Sequence, residues 1–144
     1  MKFPTDAESW EIAARTIYGE ARGQPYVGQV AVAWVIRNRA EHPKWWGLNL
    51  KDVCLRPAQF SCWNQNDANR AIITSVTADD PNFRRSLGIM ALVLSGDLPD
   101  PTDGSTNYYT TSRPTWAREW PPGWASSLQE TIILGAHTFL KEKA

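Results

Sequence analysis

The chain has 144 residues, a length that suits one domain with a core of its own. Fifteen basic and fifteen acidic side chains cancel, so no positive field draws in a phosphate backbone, and nucleic acid is not expected as a partner. With 42% hydrophobic and 21% charged residues and no low-complexity tract, the composition is that of an ordered protein rather than a disordered one.

Eight tryptophans and four tyrosines require either burial or a flat apolar ligand such as the face of a sugar. The start, Met1 to Asp6, turns polar at once and offers no signal peptide or membrane span. Stable membrane insertion is therefore not expected. Cys54 and Cys62 make no disulfide framework; they read as two reduced, buried thiols unless a loop brings them together.

Thr5 and Glu8 have capping-box spacing, and Trp10, Ala13, Ala14, Ile17 and Ala21 follow at helical intervals, predicting a first helix that ends close to Gly19. Pro25 opens a second helix, in which Val27, Val30, Ala31, Trp34, Val35 and Asn38 share a broad buried face down to about Ala40. His42-Pro43 stops it. Residues 44–66 are aromatic and irregular, the composition of a loop that walls a groove. A short helix is predicted from Asp67 to Val76, and another from Pro81, with Phe83, Leu87, Met90, Ala91 and Leu94 on one face and Gly96 as its stop.

Five prolines and two glycines between Asp97 and Trp124 predict a long ordered loop with room for a short hairpin. Ser127 and Glu130 repeat the capping-box spacing. Leu128, Ile132, Ile133, Ala136, Phe139 and Leu140 then predict a closing amphipathic helix.

Glu20 follows a glycine at the expected end of the first helix, where the chain leaves the core and a side chain can face a cleft. Rings nearby, Tyr18 and Trp10 among them, would desolvate its carboxyl and hold a proton for a glycosidic oxygen. By pattern alone this is weak, because most glutamates at helix ends are simply solvated. Gln59-Phe60-Ser61-Cys62-Trp63-Asn64 mixes amide, hydroxyl and indole groups as a sugar-binding wall does; a loop that plugs the core with its rings explains it equally well. Asn107, Tyr108 and Tyr109 are further donors for sugar hydroxyls, against a reading as a half-buried hairpin arm. His137, on the apolar closing helix, reads as a satisfied structural histidine. Asp100 opens a Pro-Gly turn and reads as structural too. His42, His137, Cys54 and Cys62 lack zinc spacing, and no Walker loop or Gly-x-Ser-x-Gly elbow is present, so neither metal nor cofactor is expected.

Ala14-Arg15-Thr16-Ile17-Tyr18-Gly19-Glu20-Ala21-Arg22-Gly23, then Gly28-Gln29-Val30-Ala31-Val32-Ala33 and Asn38-Arg39, resemble the SleB-type cell wall hydrolases, which include spore-cortex-lytic and phage lysis enzymes. Pro57, Gln59-Phe60-Ser61-Cys62, Asp100-Pro101-Thr102, Gly104, Tyr108 and Trp116 occur in that family's order, and Gly135-x-His137-x-Phe139 resembles its closing helix. The resemblance implies a mainly α, lysozyme-like and lytic-transglycosylase-like single domain over residues 1–144, with Glu20 as the catalytic acid. Gln59, Ser61, Tyr108 and Trp63 are the expected substrate contacts. Departures are Gln24 where many relatives carry Glu, Ser105 for Ala, Leu140 for an aromatic, and Thr110 where some relatives carry His.

The substrate so implied is the glycan strand of peptidoglycan, cut by a monomer at the MurNAc-GlcNAc β-1,4 bond. With no second carboxylate in a motif, lytic transglycosylation is expected over hydrolysis by a muramidase. An amidase or a non-catalytic glycan-binding module are the remaining alternatives. Lacking a recognisable leader or wall-binding domain, the sequence fits a phage or prophage endolysin that waits in the host cytoplasm until export to the periplasm or wall.

Overall fold

The computed structural model of the chain describes residues 7–57 and 59–144. Thr5, half of the expected capping box, lies outside the described residues. Helix α1 spans Ala7–Ala21, α2 Tyr26–Glu41, α3 Leu50–Leu55, α4 Ala68–Ser75 and α5 Pro81–Ser95. Three short strands follow, β1 Asn107–Thr110, β2 Leu128–Leu134 and β3 His137–Glu142. The fold is mainly helical with a small sheet at its C-terminal end.

The helix ends obey local chemistry. Asp67 caps α4 by accepting the Asn69 amide, and Asp80 caps α5 by accepting those of Asn82 and Phe83. Pro81 occupies the first turn of α5, and Gly96 ends it in the left-handed conformation at φ 84°. Helix α1 runs two residues past the expected stop, which puts Glu20 in its last turn rather than beyond it.

Helix α2 is buried on almost every side, from Gly28 to Ile36 and again at Asn38, Arg39 and Ala40. One face joins Ala13, Ala14 and Ile17 of α1 and Ile89, Met90 and Val93 of α5 in the main core. The other puts Ala31, Val32 and Val35 against Phe139 of the sheet. Arg15 fastens α1 to α4 through the carbonyls of Ile73 and Val76, at 2.6 and 2.9 Å.

The expected closing helix does not form. Residues 128–142 are instead a β-hairpin, β2 pairing antiparallel with β3, and β3 also pairs with β1 to give the order β1-β3-β2. Gly135 takes φ 58° in the two-residue turn between Leu134 and His137, a conformation that breaks a helix and suits a tight hairpin. Gln24 secures the turn by accepting the Ala136 amide at 2.9 Å. The β-branched run Thr131-Ile132-Ile133 favours the extended chain as well. Asp100 is structural, as read from its turn: it accepts the amides of Thr102 and Gly104 and the Asn38 side chain, pinning the 97–106 loop to α2.

Candidate active site

Glu20 reaches the site from the last turn of α1, half-buried, at the seam between helices and sheet. Its Oε1 accepts a hydrogen bond from the Tyr108 hydroxyl at 3.2 Å. The Cys62 amide and thiol also donate to it, from the 3₁₀ turn Ser61–Trp63. Burial pushes the Glu20 carboxyl up from its ordinary value. The bonds from Cys62 and Tyr108 pull the other way, and the negative charge of Asp67 adds to the rise. The balance is a carboxyl that holds its proton longer than a solvated glutamate, with donors waiting for the charge it leaves behind.

Gly19 explains how α1 comes so near that turn. A Cβ at this position would lie 2.7 Å from the Cys62 Cβ and 2.9 Å from both its Sγ and the Ile73 Cγ2, so only glycine admits the approach. The glycine before the acid is thus a packing requirement of the site.

Burial also raises the Tyr108 hydroxyl well above its ordinary pKa, reinforced by the charge of Glu20, so it stays a donor. Its ring packs at a tilt against His137 at 4.8 Å and Phe139 at 5.5 Å, both on β3. His137 is buried and its Nδ1 has no hydrogen-bond partner among the described residues; burial holds its pKa below the usual value, so it supports Tyr108 as a neutral ring. Sequence alone reads His137 as a satisfied structural residue; it is buried, but on a strand rather than a helix and with its Nδ1 left unsatisfied.

The rings expected beside Glu20 do other work. Tyr18 donates to Asp80 and meets Phe83 edge-on, and Trp10 donates to the Leu87 carbonyl. The carboxyl is desolvated by groups from the 3₁₀ turn and the sheet, far away in sequence.

Behind Tyr108 opens a cavity of about 540 Å³ whose wall includes Gln59, Trp45, Trp124 and Asn107. Gln59 and Tyr108 are therefore brought together on one groove, and Tyr108 also meets Glu20. Ser61 is exposed at the head of the 3₁₀ turn, one residue from Cys62. Trp63 is half-buried against the main core, and its indole nitrogen donates inward to Thr16 at 2.8 Å, so its polar edge is already used. Cys54 and Cys62 are both free and buried. Among the described residues no group of three or more His, Cys, Asp or Glu is arranged to hold a metal ion.

Cys62, Trp45, Trp124 and Arg39 were not singled out by sequence reasoning as site residues. For Arg39 the signal was its place in the Asn38-Arg39 pair of the family resemblance, at the end of a helix with a broad buried face. For the two tryptophans the aromatic content was the only sign.

The sequence profile of the cell wall hydrolase family matches residues 23–140. That span begins just after Glu20, which is singled out by its place in the fold. The spore cortex-lytic enzyme of Halalkalibacterium halodurans is 33% identical over 129 residues, covering 90% of this chain and 33% of the relative. That of Bacillus subtilis is 59% identical over 79 residues, 49% of this chain and 26% of the relative. The chain thus spans a third or less of the length of these curated relatives. The catalytic domain of the Bacillus cereus SleB protein superposes with a TM-score of 0.66 at 26% identity, over 96% of this chain and 95% of that one. The catalytic domain of the germination-specific lytic transglycosylase SleB from Bacillus anthracis gives 0.67 at 26% identity, over 96% and 99%.

Proposed function

Since the chain belongs to the cell wall hydrolase family, in the SleB-type lysozyme-like fold, we propose that it cleaves the MurNAc-GlcNAc β-1,4 bond of peptidoglycan by lytic transglycosylation, with Glu20 as acid and then base. The observation that supports this reading is the desolvated Glu20 carboxyl, bonded by the hydroxyl of Tyr108, whose residue also lines an aromatic groove. Glu20 gives its proton to the glycosidic oxygen as the bond breaks, and the Tyr108 and Cys62 donors stabilise the carboxylate left behind. That carboxylate then takes the proton of the sugar's own C6 hydroxyl, which attacks the anomeric carbon and closes a 1,6-anhydro ring. Gln59 and Ser61 orient the acetamido group, and Trp63, whose indole nitrogen is bonded to Thr16, has only ring carbons left to offer.

Among the described residues no carboxylate is bonded to Glu20, which favours transglycosylation over hydrolysis. The acidic group that acts on it is Asp67, and one Asp67 oxygen is engaged in capping α4. In a muramidase Asp67 would instead have to serve water as base or the sugar as nucleophile. Mass spectrometry of digested sacculi separates the readings. Anhydro ends, one water lighter and resistant to borohydride, are expected; reducible MurNAc ends as the main product overturn the transglycosylase in favour of a muramidase. Free stem peptides on intact strands would mean an amidase, and no soluble product a binding module. The relatives' names refer to the spore cortex, so faster turnover of cortex than of vegetative sacculi is the expected order. The reverse would support a phage lysis enzyme.

A further inference from the structure

Arg39 is 5% exposed, on the face of α2 turned toward the groove, and it forms part of the wall of the 540 Å³ cavity. Its Nε donates to the Thr106 carbonyl at 2.6 Å, while its Nη1 is buried with no hydrogen-bond partner among the described residues. The guanidinium lies 5.5 Å from the Trp46 ring centroid and 5.4 Å from that of Phe60, which fixes its plane but supplies no acceptor. Burial lowers its pKa, and the groups that act on its charge are Tyr108 and Cys54, neither of them a carboxylate. Glu142, the acidic residue on the same cavity, is ion-paired with Lys44 and largely exposed.

A buried cation with an idle donor is costly unless something completes it. The cavity it faces is of the size that takes a substituent or a sugar unit, and Tyr108 separates it from Glu20 by a single ring. We propose that Arg39 is the binding residue of a carboxylate subsite, which receives an acidic substituent of the muramic acid residue next to the cleaved bond. This rests on the reading of the chain as a peptidoglycan glycosidase. The shared chemistry has two sources, the lactyl carboxylate of a peptide-free residue and a carboxylate of its stem peptide.

The test is a set of fluorescence titrations in the Glu20→Gln background, where the ligand stays intact. The probes are chitotetraose, a peptide-free GlcNAc-MurNAc tetrasaccharide, the same compound with its lactyl carboxyls amidated, and a stem-peptide form with and without amidation. At least one carboxylate form is expected to bind about tenfold tighter than its amide, the size of one charge-assisted hydrogen bond. A preference seen without peptide names the lactyl source, and one seen only with peptide names the stem. Arg39→Lys, which keeps the charge but not the fork, is expected to reduce the ratio toward one. Equal binding of every carboxylate and its amide overturns the proposal, as does a preference that survives in folded Arg39→Lys. Should that variant not fold, the ligand pairs on the Glu20→Gln protein alone decide. Release of muropeptides by the unmodified chain, followed in parallel, reports the glycosidase reading separately: turnover with no carboxylate preference sinks only the subsite.

Discussion

The two sides of the site are held in opposite ways. Glu20 stands on a fifteen-residue helix that packs against α2, α3, α4 and α5, and its position follows from that helix and from the missing side chain at Gly19. Tyr108 stands on a four-residue strand whose place depends on pairing with β3, thirty residues on, and on packing against His137 and Phe139. Rigid local structure carries the acid, and long-range pairing carries its donor. Changes on the helical side should therefore abolish function or folding, and changes on the sheet side should tune the acid.

The sharpest test of that asymmetry is Glu20→Gln, expected to lower turnover of sacculi by about 10²–10⁴-fold, the usual worth of a general acid. Its effect on stability has a sign. The folded carboxyl has a raised pKa, so its contribution is fully present below the unfolded pKa and is lost as pH rises through the folded one. The melting midpoint of Glu20→Gln should thus match wild type in acid and equal or exceed it at neutral pH. A midpoint that falls below wild type as pH rises would contradict the desolvated acid.

Gly19→Ala comes next. The new methyl meets Cys62 and Ile73 below normal contact, and overpacking of this kind costs about 1–3 kcal/mol. Chemical denaturation should show the loss, and activity should fall further than stability because the Cys62 donors move away from Glu20. Wild-type behaviour would mean that the helical side is not the rigid one.

On the sheet side, Tyr108→Phe keeps the ring and removes the hydroxyl. Loss of that hydrogen bond should raise the Glu20 pKa again, so the alkaline fall of kcat/KM moves to higher pH. The plateau should drop roughly tenfold, the worth of one hydrogen bond to a charged group. Cys62 and Asp67, which also act on Glu20, are untouched, so an unshifted limb would remove Tyr108 from the acid's environment.

The smallest effect belongs to Gln24→Ala, which frees the Ala136 amide of the hairpin turn and should cost about 1 kcal/mol. If the hairpin positions Tyr108, KM should rise more than kcat falls.

The same division decides how much was legible from residues alone. Helices α1, α2, α4 and α5 were readable because their apolar spacing, Asp80-Pro81 start and Gly96 stop are local signals. The hairpin was not, for two reasons in its burial. Strand β3 is buried on both faces from His137 to Leu140, with Phe139 turned to α2 and Leu140 packed with Tyr109 and Ala125, so it shows no alternation. In β2 the irregularity between Glu130 and Ile132 leaves Leu128, Thr131 and Leu134 as the less exposed positions, a spacing of three that imitates a helix. Gly135 was the local clue, since a left-handed turn residue sits badly inside a helix. Glu20 stood out through the motif that carries the family resemblance. Its environment did not, because Cys62 and Tyr108 reach it from 42 and 88 positions away.

The thiol beside the acid carries a practical consequence. Burial and the charge of Glu20 push Cys62 far above the ordinary thiol range, and Cys54 is pushed up to about 12. At pH 7 only about one Cys54 in 10⁵ is a thiolate, so alkylating reagents meet an inert protein until it opens. The two cysteines then act as clocks for different openings. Both are fully buried in the main core, but Cys62 sits on the 3₁₀ turn packed against α1 and α4 and Cys54 on α3, so the first is labelled when that turn lifts and the second when α3 leaves the core. A saccharide held at Glu20, which Cys62 adjoins, should slow the first clock more than the second.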